Sequence, residues 1–203
     1  MNEDYNQAVR ILNDLIKSNP TKAKYHHVLL LCVSKSGNKD KISKFCREII
    51  EDFRNTEDPL FLFLCARASY IAEDYEKCAF FAKKVIAKEP NRLDCLHKLC
   101  SAYIRLGNMD ESTYYYHQMA RLDPNSNLTI NISYAISIVV EATKTAYQGN
   151  PEAQFELFLM HLKGDIVKQD NAKALFWLQR AAENNHEKAK ECLKILIGRS
   201  SGD

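Results

Sequence analysis

Through most of the chain, apolar side chains recur at i, i+3, i+4 and i+7 in blocks of about a dozen residues, separated by short polar breaks. The stretch LDCLHKLCSAYIRL (93–106) is representative: Leu96, Leu99, Cys100 and Tyr103 fall on one stripe, as an amphipathic helix requires. Glycine and proline, the residues that interrupt helices, number only six and five. The pattern predicts an all-α fold with about 11 helices. One segment breaks the rule. LTINISYAIS (128–137) alternates apolar and polar residues with period two, which by itself argues for a strand. A lone strand among helices would leave its backbone N–H and C=O groups without partners, so a helix from about residue 129 to 147 is expected there.

Self-comparison shows that the blocks repeat. YEKCAFFAKKVIAKEP (75–90) returns as MDESTYYYHQMARLDP (109–124), a spacing of 34 residues. Residues 93–126 carry Leu96, Leu99, Cys100 and Tyr103 in a first helix, then Ser112, Tyr116 and a closing Pro124. This order resembles the tetratricopeptide repeat (TPR), a helix–turn–helix unit of the same period. Residues 59–92 keep the frame more loosely, with Leu62, Cys65, Ala66 and Ser69, then Cys78 and Ala82, then Pro90. Residues 23–58 form a divergent copy, with GNKD (37–40) as the turn. Residues 1–22 match only the second helix of such a repeat, through Ala8, Leu12, Leu15 and Pro20, so this helix is either a cap or the remainder of an upstream repeat.

From residue 149 the pattern changes. Ala153, Gln154, Leu157, Gly164, the pair Ile166–Val167, Asp170, Lys173, Ala174, Trp177, Ala181, Ala182 and Ala189 resemble the Sel-one-like repeat (SLR), a relative of the tetratricopeptide repeat with a longer turn. Phe158 stands where that family has a small residue, and Asn185 where it has glycine, so looser helix packing is expected at 158. The expected organisation is an N-terminal helix (1–22), three TPR units (23–58, 59–92, 93–126), a linking helix (127–148), one Sel-one-like repeat (149–185) and a C-terminal capping helix with a tail (186–203). The resemblance implies a right-handed α-solenoid of antiparallel helix pairs.

Charge removes one class of function. The 28 basic and 26 acidic residues nearly cancel, and the balance holds along the chain: 10 against 9 in 1–58, 9 against 8 in 59–124 and 9 against 9 in 125–203. A nucleic-acid footprint would need basic residues in excess or gathered together. The N-terminus lacks the pattern of an export signal, and the most apolar run, LTINISYAISIVV (128–140), is too short and too polar to span a membrane. An odd count of seven cysteines without that signal suits free thiols in a cytoplasmic protein. On the same reasoning, the sequons at Asn127 and Asn131 are chance matches.

CLHKLC (95–100) invites a metal or redox reading. At 100° per residue, however, Cys95, His97 and Cys100 point about 0°, 200° and 140° around a helix axis and do not converge. The repeat frame gives another account: Cys100 and Cys78 occupy sites where helices approach and only a small side chain fits, and Cys46 and Cys65 also fall on packing sites. Cys95 and Cys192 are expected to be the more exposed thiols. No zinc spacing, phosphate-binding glycine loop or nucleophile motif is present, and the six histidines are scattered. In YYYH (114–117), Tyr116 is expected at the aromatic core site, with Tyr114 and Tyr115 pointing elsewhere, while Trp177 is expected to be buried. No enzyme activity, metal or cofactor is expected.

The family resemblance implies protein–protein interaction: a cytoplasmic scaffold or adaptor that holds a peptide or helix in a groove lined by the first helix of each pair. The groove candidates are Lys24, His27, Leu31 and Lys35, then Leu60, Phe63, Arg67, Tyr70 and Ile71, then Asp94, His97, Ser101, Ile104 and Arg105. Apolar centres with a basic margin suit a partner with apolar anchors and some acidic residues, and neither nucleic acid nor membrane is expected as a partner. Tetratricopeptide domains that hold the acidic C-terminus of a heat-shock chaperone use a Lys and an Asn one turn apart. The pairs here are His27 with Leu31, Phe63 with Arg67 and His97 with Ser101, so that clamp is absent. Two alternatives stand beside this reading: an interaction domain of a larger bacterial regulator or secretion-associated chaperone, and a thiol- or metal-dependent enzyme.

Overall fold

The computed structural model describes residues 2–200, and side chains over 6–196; the expected tail beyond residue 200 lies outside the described residues. Eleven helices occupy them: α1 (Asn2–Ser18), α2 (Ala23–Ser34), α3 (Lys39–Phe53), α4 (Pro59–Ile71), α5 (Tyr75–Lys88), α6 (Leu93–Leu106), α7 (Met109–Leu122), α8 (Asn127–Tyr147), α9 (Pro151–Lys163), α10 (Asn171–Glu183) and α11 (Glu187–Ser200). No strand occurs among the described residues. The repeat period is visible in the helix starts: α4 and α6 begin at 59 and 93, and α5 and α7 at 75 and 109, each pair 34 residues apart.

Short polar side chains set these starts. Asn38 accepts from the backbone N–H of Lys41, Asp58 from Leu60, Asp74 from Lys77, Ser126 from Thr129, Asn150 from Ala153 and Asp170 from Lys173. Each bond satisfies one of the donors that a helix N-terminus leaves free. Pro59 and Pro151 occupy first-turn positions, where the missing N–H costs nothing. The alternating segment is helical as expected. In α8 Thr129, Ile132, Val139, Ala142 and Ala146 are buried, a spacing that fits 3.6 residues per turn and not two.

The chain divides into two compact units. The first comprises residues 1–102 and 115–124. Here α4 is its centre, packed against α2, α3 and α5. Phe61 through Ala66 are all buried, with Ala68 and Ser69. One core cluster joins Leu30 of α2, Cys46 and Ile49 of α3, and Phe61, Leu64 and Ala68 of α4. Full burial of one such Leu contributes about 1.5–3 kcal/mol, so α4 is fixed mainly by packing. The second unit comprises residues 103–114 and 125–203. Its core takes Ala142 and Ala146 from α8, Ala153, Leu157 and Phe158 from α9, Ala174, Trp177, Leu178 and Ala181 from α10, and Ala189 from α11. Alanines let the helices approach, and the larger rings fill the space between.

Within the second unit, α9 and α10 are joined by a seven-residue loop, 164–170. Gly164 ends α9 with φ +70°, the left-handed conformation that glycine adopts without steric cost. A Cβ there would lie 2.9 Å from the Gln169 Cβ and 3.1 Å from its backbone N, so the position excludes larger residues twice over. Asn185, in the place of a family glycine, also has positive φ (67°), which Asn tolerates better than most residues. Phe158 is 8% exposed and lies against the Phe155 ring at 5.3 Å.

One cysteine and two tyrosines are placed differently from expectation. Cys95 is fully buried, its thiol donating to the Ala82 carbonyl at 3.4 Å, because the start of α6 lies against α5. Cys192, half-buried like Cys32, is among the more exposed thiols, as expected. In α7 the buried tyrosine is Tyr115, at 9% exposure; Tyr116 is half-buried and Tyr114 is 61% exposed. The inward stripe of α7 therefore runs through Ser112, Tyr115 and Met119, one residue short of the expected register.

Candidate functional site

The first helices α2, α4 and α6 bring several of the expected groove residues into one cluster within the first unit. His27 of α2 is the hinge of it: its Nε2 lies 3.1 Å from the Leu60 carbonyl and its Nδ1 2.9 Å from Nη1 of Arg67. Because a guanidinium can only donate, Nδ1 must carry the lone pair and Nε2 the proton. Burial, followed by the positive charges of Arg67 and Arg92, holds His27 below its ordinary pKa, in keeping with that neutral tautomer.

Aromatic faces meet cations beside it. Phe63 is 6% exposed; the His27 ring lies 5.9 Å from it and the Arg92 guanidinium 4.4 Å above it. The Lys98 ammonium sits 4.2 Å from the Tyr70 ring centre. Both contacts are cation–π pairs, worth more where water is partly excluded. Burial pushes Lys98 and Arg67 below their usual values, and pushes His97 down to about 4, with Lys98 adding to the effect. Asp94 feels all of these groups, but its carboxylate is bonded to Arg92, whose Nε lies 2.9 Å from Oδ1; Glu89 takes Nη1 of the same guanidinium at 2.9 Å.

Other expected groove residues stand apart. Lys24 and Lys35 are exposed and make no ion pair among the described residues. The Ser101 hydroxyl is turned onto its own helix, donating to the His97 carbonyl at 2.8 Å. Ile71 packs on the core of α2, α3 and α4, and Ile104 is 3% exposed. Arg105 belongs to the second unit, where its Nη1 donates to the carbonyls of Gly164 and Val167 while its own carbonyl accepts from Lys168, tying down the 164–170 loop.

Sequence reasoning passed over Arg92 and Lys98. Arg92 lies in the turn before α6, and Lys98 follows a groove position by one residue, so both fall outside the repeat frame. A second surface was also passed over. Between α8 and α9 an open groove of about 910 Å³ is lined by Tyr134, Ile138, Val140, Leu159 and Met160, with Glu141 and Glu156 beside them. Its signal in the sequence was the surplus of apolar residues in LTINISYAISIVV, more than one buried stripe can use. A third cleft of about 800 Å³ lies between α3 and α5 and mixes Arg47, Glu48, Glu51, Arg54 and Lys77 with Phe80.

Groups that could do chemistry do not gather. Among the described residues no three His, Cys, Asp or Glu side chains converge as a metal site would require. Cys65, Cys78, Cys95 and Cys100 have thiols pushed up to about 12 by burial, and Cys46 to about 11. At neutral pH they are unreactive thiols, since attack requires the thiolate.

Comparison with known proteins covers the C-terminal part best. The Sel1 repeat family matches residues 151–186, the span of α9, the loop and α10. No curated protein matches the sequence. Among solved structures, a crystal structure of MamA is similar at 15% identity over 92% of each chain, with a TM-score of 0.47. A second crystal structure of MamA protein gives 15% identity over 92% of this chain and 86% of the other (TM-score 0.46), and a MamA RS-1 ArsTM double mutant gives 11% over 91% and 86% (TM-score 0.46). No described helix is long and apolar enough to cross a membrane. The chain is therefore built of helical repeats, tetratricopeptide-like where helix pairs recur every 34 residues and similar to the Sel1 repeat over 151–186.

Proposed function

We propose that the protein is a non-catalytic interaction scaffold that holds a peptide or helix of a partner protein against the shared face of α2, α4 and α6. One observation carries this reading: His27, Phe63, Arg67, Tyr70 and His97, from three successive first helices, lie in or beside one cluster of hydrogen bonds and ring contacts. A helical repeat array is suited to that task because neighbouring pairs bury the core and leave their first helices to form a continuous surface. Seven free cysteines favour a reducing compartment, and the cytoplasm is the proposed location.

The test is affinity capture from the native lysate by the intact protein and by a Tyr70→Ala, Arg67→Glu variant, read by mass spectrometry, with circular dichroism to show that the variant is folded. Both positions are half-buried, so they can be changed with less damage than the buried Phe63. A partner captured by the first and lost by the folded second supports the reading. Unchanged capture removes this face as the binding surface, and a Met160→Glu variant then asks whether the groove of α8 and α9 serves instead.

A further inference from the structure

Arg67 and Lys98 are the unusual members of the cluster. Both are half-buried, and among the described residues neither makes an ion pair. Arg67 has five N–H donors, of which one is used, by His27 Nδ1. Lys98 has three, and its ammonium faces the ring of Tyr70, which accepts none of them as a carboxylate would. The nearest acid, Asp94, is engaged by Arg92, and so is Glu89. Three cations on this face thus have two carboxylates, both on the same guanidinium. The ordinary arrangement for a partly desolvated cation is a hydrogen-bonded anion, since an uncompensated one weakens the fold.

We propose that Arg67 and Lys98 form an anion site for a side-chain carboxylate, an Asp or Glu of the bound partner segment. The proposal rests on the scaffold reading and names the chemistry of its ligand. The planar fork of Arg67 can meet both carboxylate oxygens, and Lys98 can add a point charge. Tyr70 is half-buried and meets Lys98 on one face, which leaves ring surface beside the site for the residues next to the acid, while Phe63 is buried beneath Arg92. His27 and His97, neutral at pH 7, add no competing positive charge. The arrangement differs from a Lys and Asn pair on one helix, because the two cations come from α4 and α6 and the repeat stacking sets their separation.

The test uses phage-displayed random dodecapeptides selected on the full chain, on an Arg67→Gln, Lys98→Met variant, and on a Lys188→Gln, Lys194→Gln control that removes the same net charge from exposed positions of α11. Selection on the wild type and the control should yield peptides with Asp or Glu at one fixed position next to apolar residues. The affinity of the leading peptide, read by fluorescence anisotropy, should fall at least 10-fold in the Arg67→Gln, Lys98→Met variant and less than twofold in the control. Replacing its acidic residue with Gln should cost the wild type a similar factor and the variant little. Peptides without a fixed acid, a preference for phosphoserine over Asp at that position, or equal loss in the control would overturn the anion site. If selection still depends on Tyr70 in those cases, the scaffold reading survives without it. If no peptide is enriched on the wild type, both readings fail.

Discussion

The face of α2, α4 and α6 and the groove of α8 and α9 are both built from packed helices, yet they offer contrasting surfaces. In the first unit, α4 is buried nearly all round, so the residues left for function are the few that interrupt its apolar run: Arg67 and Tyr70. Both are half-buried, which produces a half-buried, cationic face. In the second unit α8 has a normal buried stripe, and its apolar residues exceed it. Ile130, Tyr134 and Val140 remain 53%, 69% and 44% exposed, with Glu141 and Glu156 as the charges beside the groove. How completely a helix is buried therefore decides what kind of surface it can present. A helix enclosed by neighbours offers a few polar exceptions, while one covered on a single side offers an apolar strip.

The same contrast sets the energetics of the two units. Leu62 of α4 and Leu178 of α10 are both fully buried. Truncating either to Ala should cost about 2–5 kcal/mol. Leu62→Ala is expected at the upper end, because residues on every side of α4 are already packed and cannot close over the cavity. Leu178→Ala is expected lower, since α10 is enclosed on fewer sides, with Leu175 and Phe176 at 44% exposure. Trp177 is the single tryptophan, so its fluorescence reports the second unit while circular dichroism reports both. Urea unfolding of Leu178→Ala should move the fluorescence transition most, and that of Leu62→Ala the dichroism. A larger loss in Leu178→Ala would reverse the ranking of the two cores.

Turns make the next comparison. Gly37 and Gly164 have nearly the same φ, +73° and +70°. A Cβ on Gly37 would meet nothing within 4 Å, whereas one on Gly164 would meet Gln169. Gly37→Ala should therefore cost only the left-handed conformation, about 1 kcal/mol, and Gly164→Ala about 2–4 kcal/mol because the loop must also open. Thermal denaturation of the two variants decides it; equal losses would show that the 164–170 loop gives way at no cost.

Most of the fold was legible because its signals are local. The apolar stripes at i, i+3, i+4 and i+7 became helices, and the 34-residue spacing read from the sequence persists in the helix starts. The candidate site was legible only in part. His27, Phe63, Arg67, Tyr70 and His97 were named because repeats place equivalent positions on one face. Arg92 and Lys98 were missed because their place depends on how one pair stacks on the next, which no single-helix pattern contains. The bonds of Arg105 were not legible for a related reason: its partners Gly164 and Val167 lie some sixty residues later in the chain. Tyr115 and Cys95 show the angular limit. One residue is 100° of rotation, so an error of one position moves a side chain from solvent to core.

Acid should separate the units further. His97 in the first unit and His161 in the second are both held below the ordinary value of 6.5 by burial, His97 down to about 4. For a depressed histidine the unfolded chain binds the proton more readily, so stability present above pH 6.5 is lost as pH falls towards 4. Urea midpoints measured at pH 7 and pH 4.5 should fall in the wild type. His97→Gln should flatten that fall more than His161→Gln; an equal effect would mean that the two sites are equally accessible to the proton.

The smallest effect is also the one whose sign is least intuitive. Ser69 of α4 and Gln154 of α9 are both buried polar residues, at 0% and 3% exposure. Gln154 is satisfied: its Nε2 donates to the Ala146 carbonyl at 2.9 Å and its Oε1 accepts from Asn184 at 2.8 Å. The Ser69 hydroxyl has no partner among the described residues. A buried group that is bonded and one that is not differ in free energy by the desolvation that the bond offsets, about 1–3 kcal/mol. Ser69→Ala removes an unpaired hydroxyl and only one heavy atom of volume, so it should stabilise the chain by about 1 kcal/mol. Gln154→Leu keeps the volume but removes the bonds to the Ala146 carbonyl and the Asn184 amide, so it should destabilise by about 1–2 kcal/mol. Chemical denaturation of the two variants at pH 7 gives opposite signs if these hydrogen-bond assignments are right. A loss of stability in Ser69→Ala would mean that the hydroxyl is bonded in solution, and that the enclosed centre of the first unit admits a water molecule beside α4.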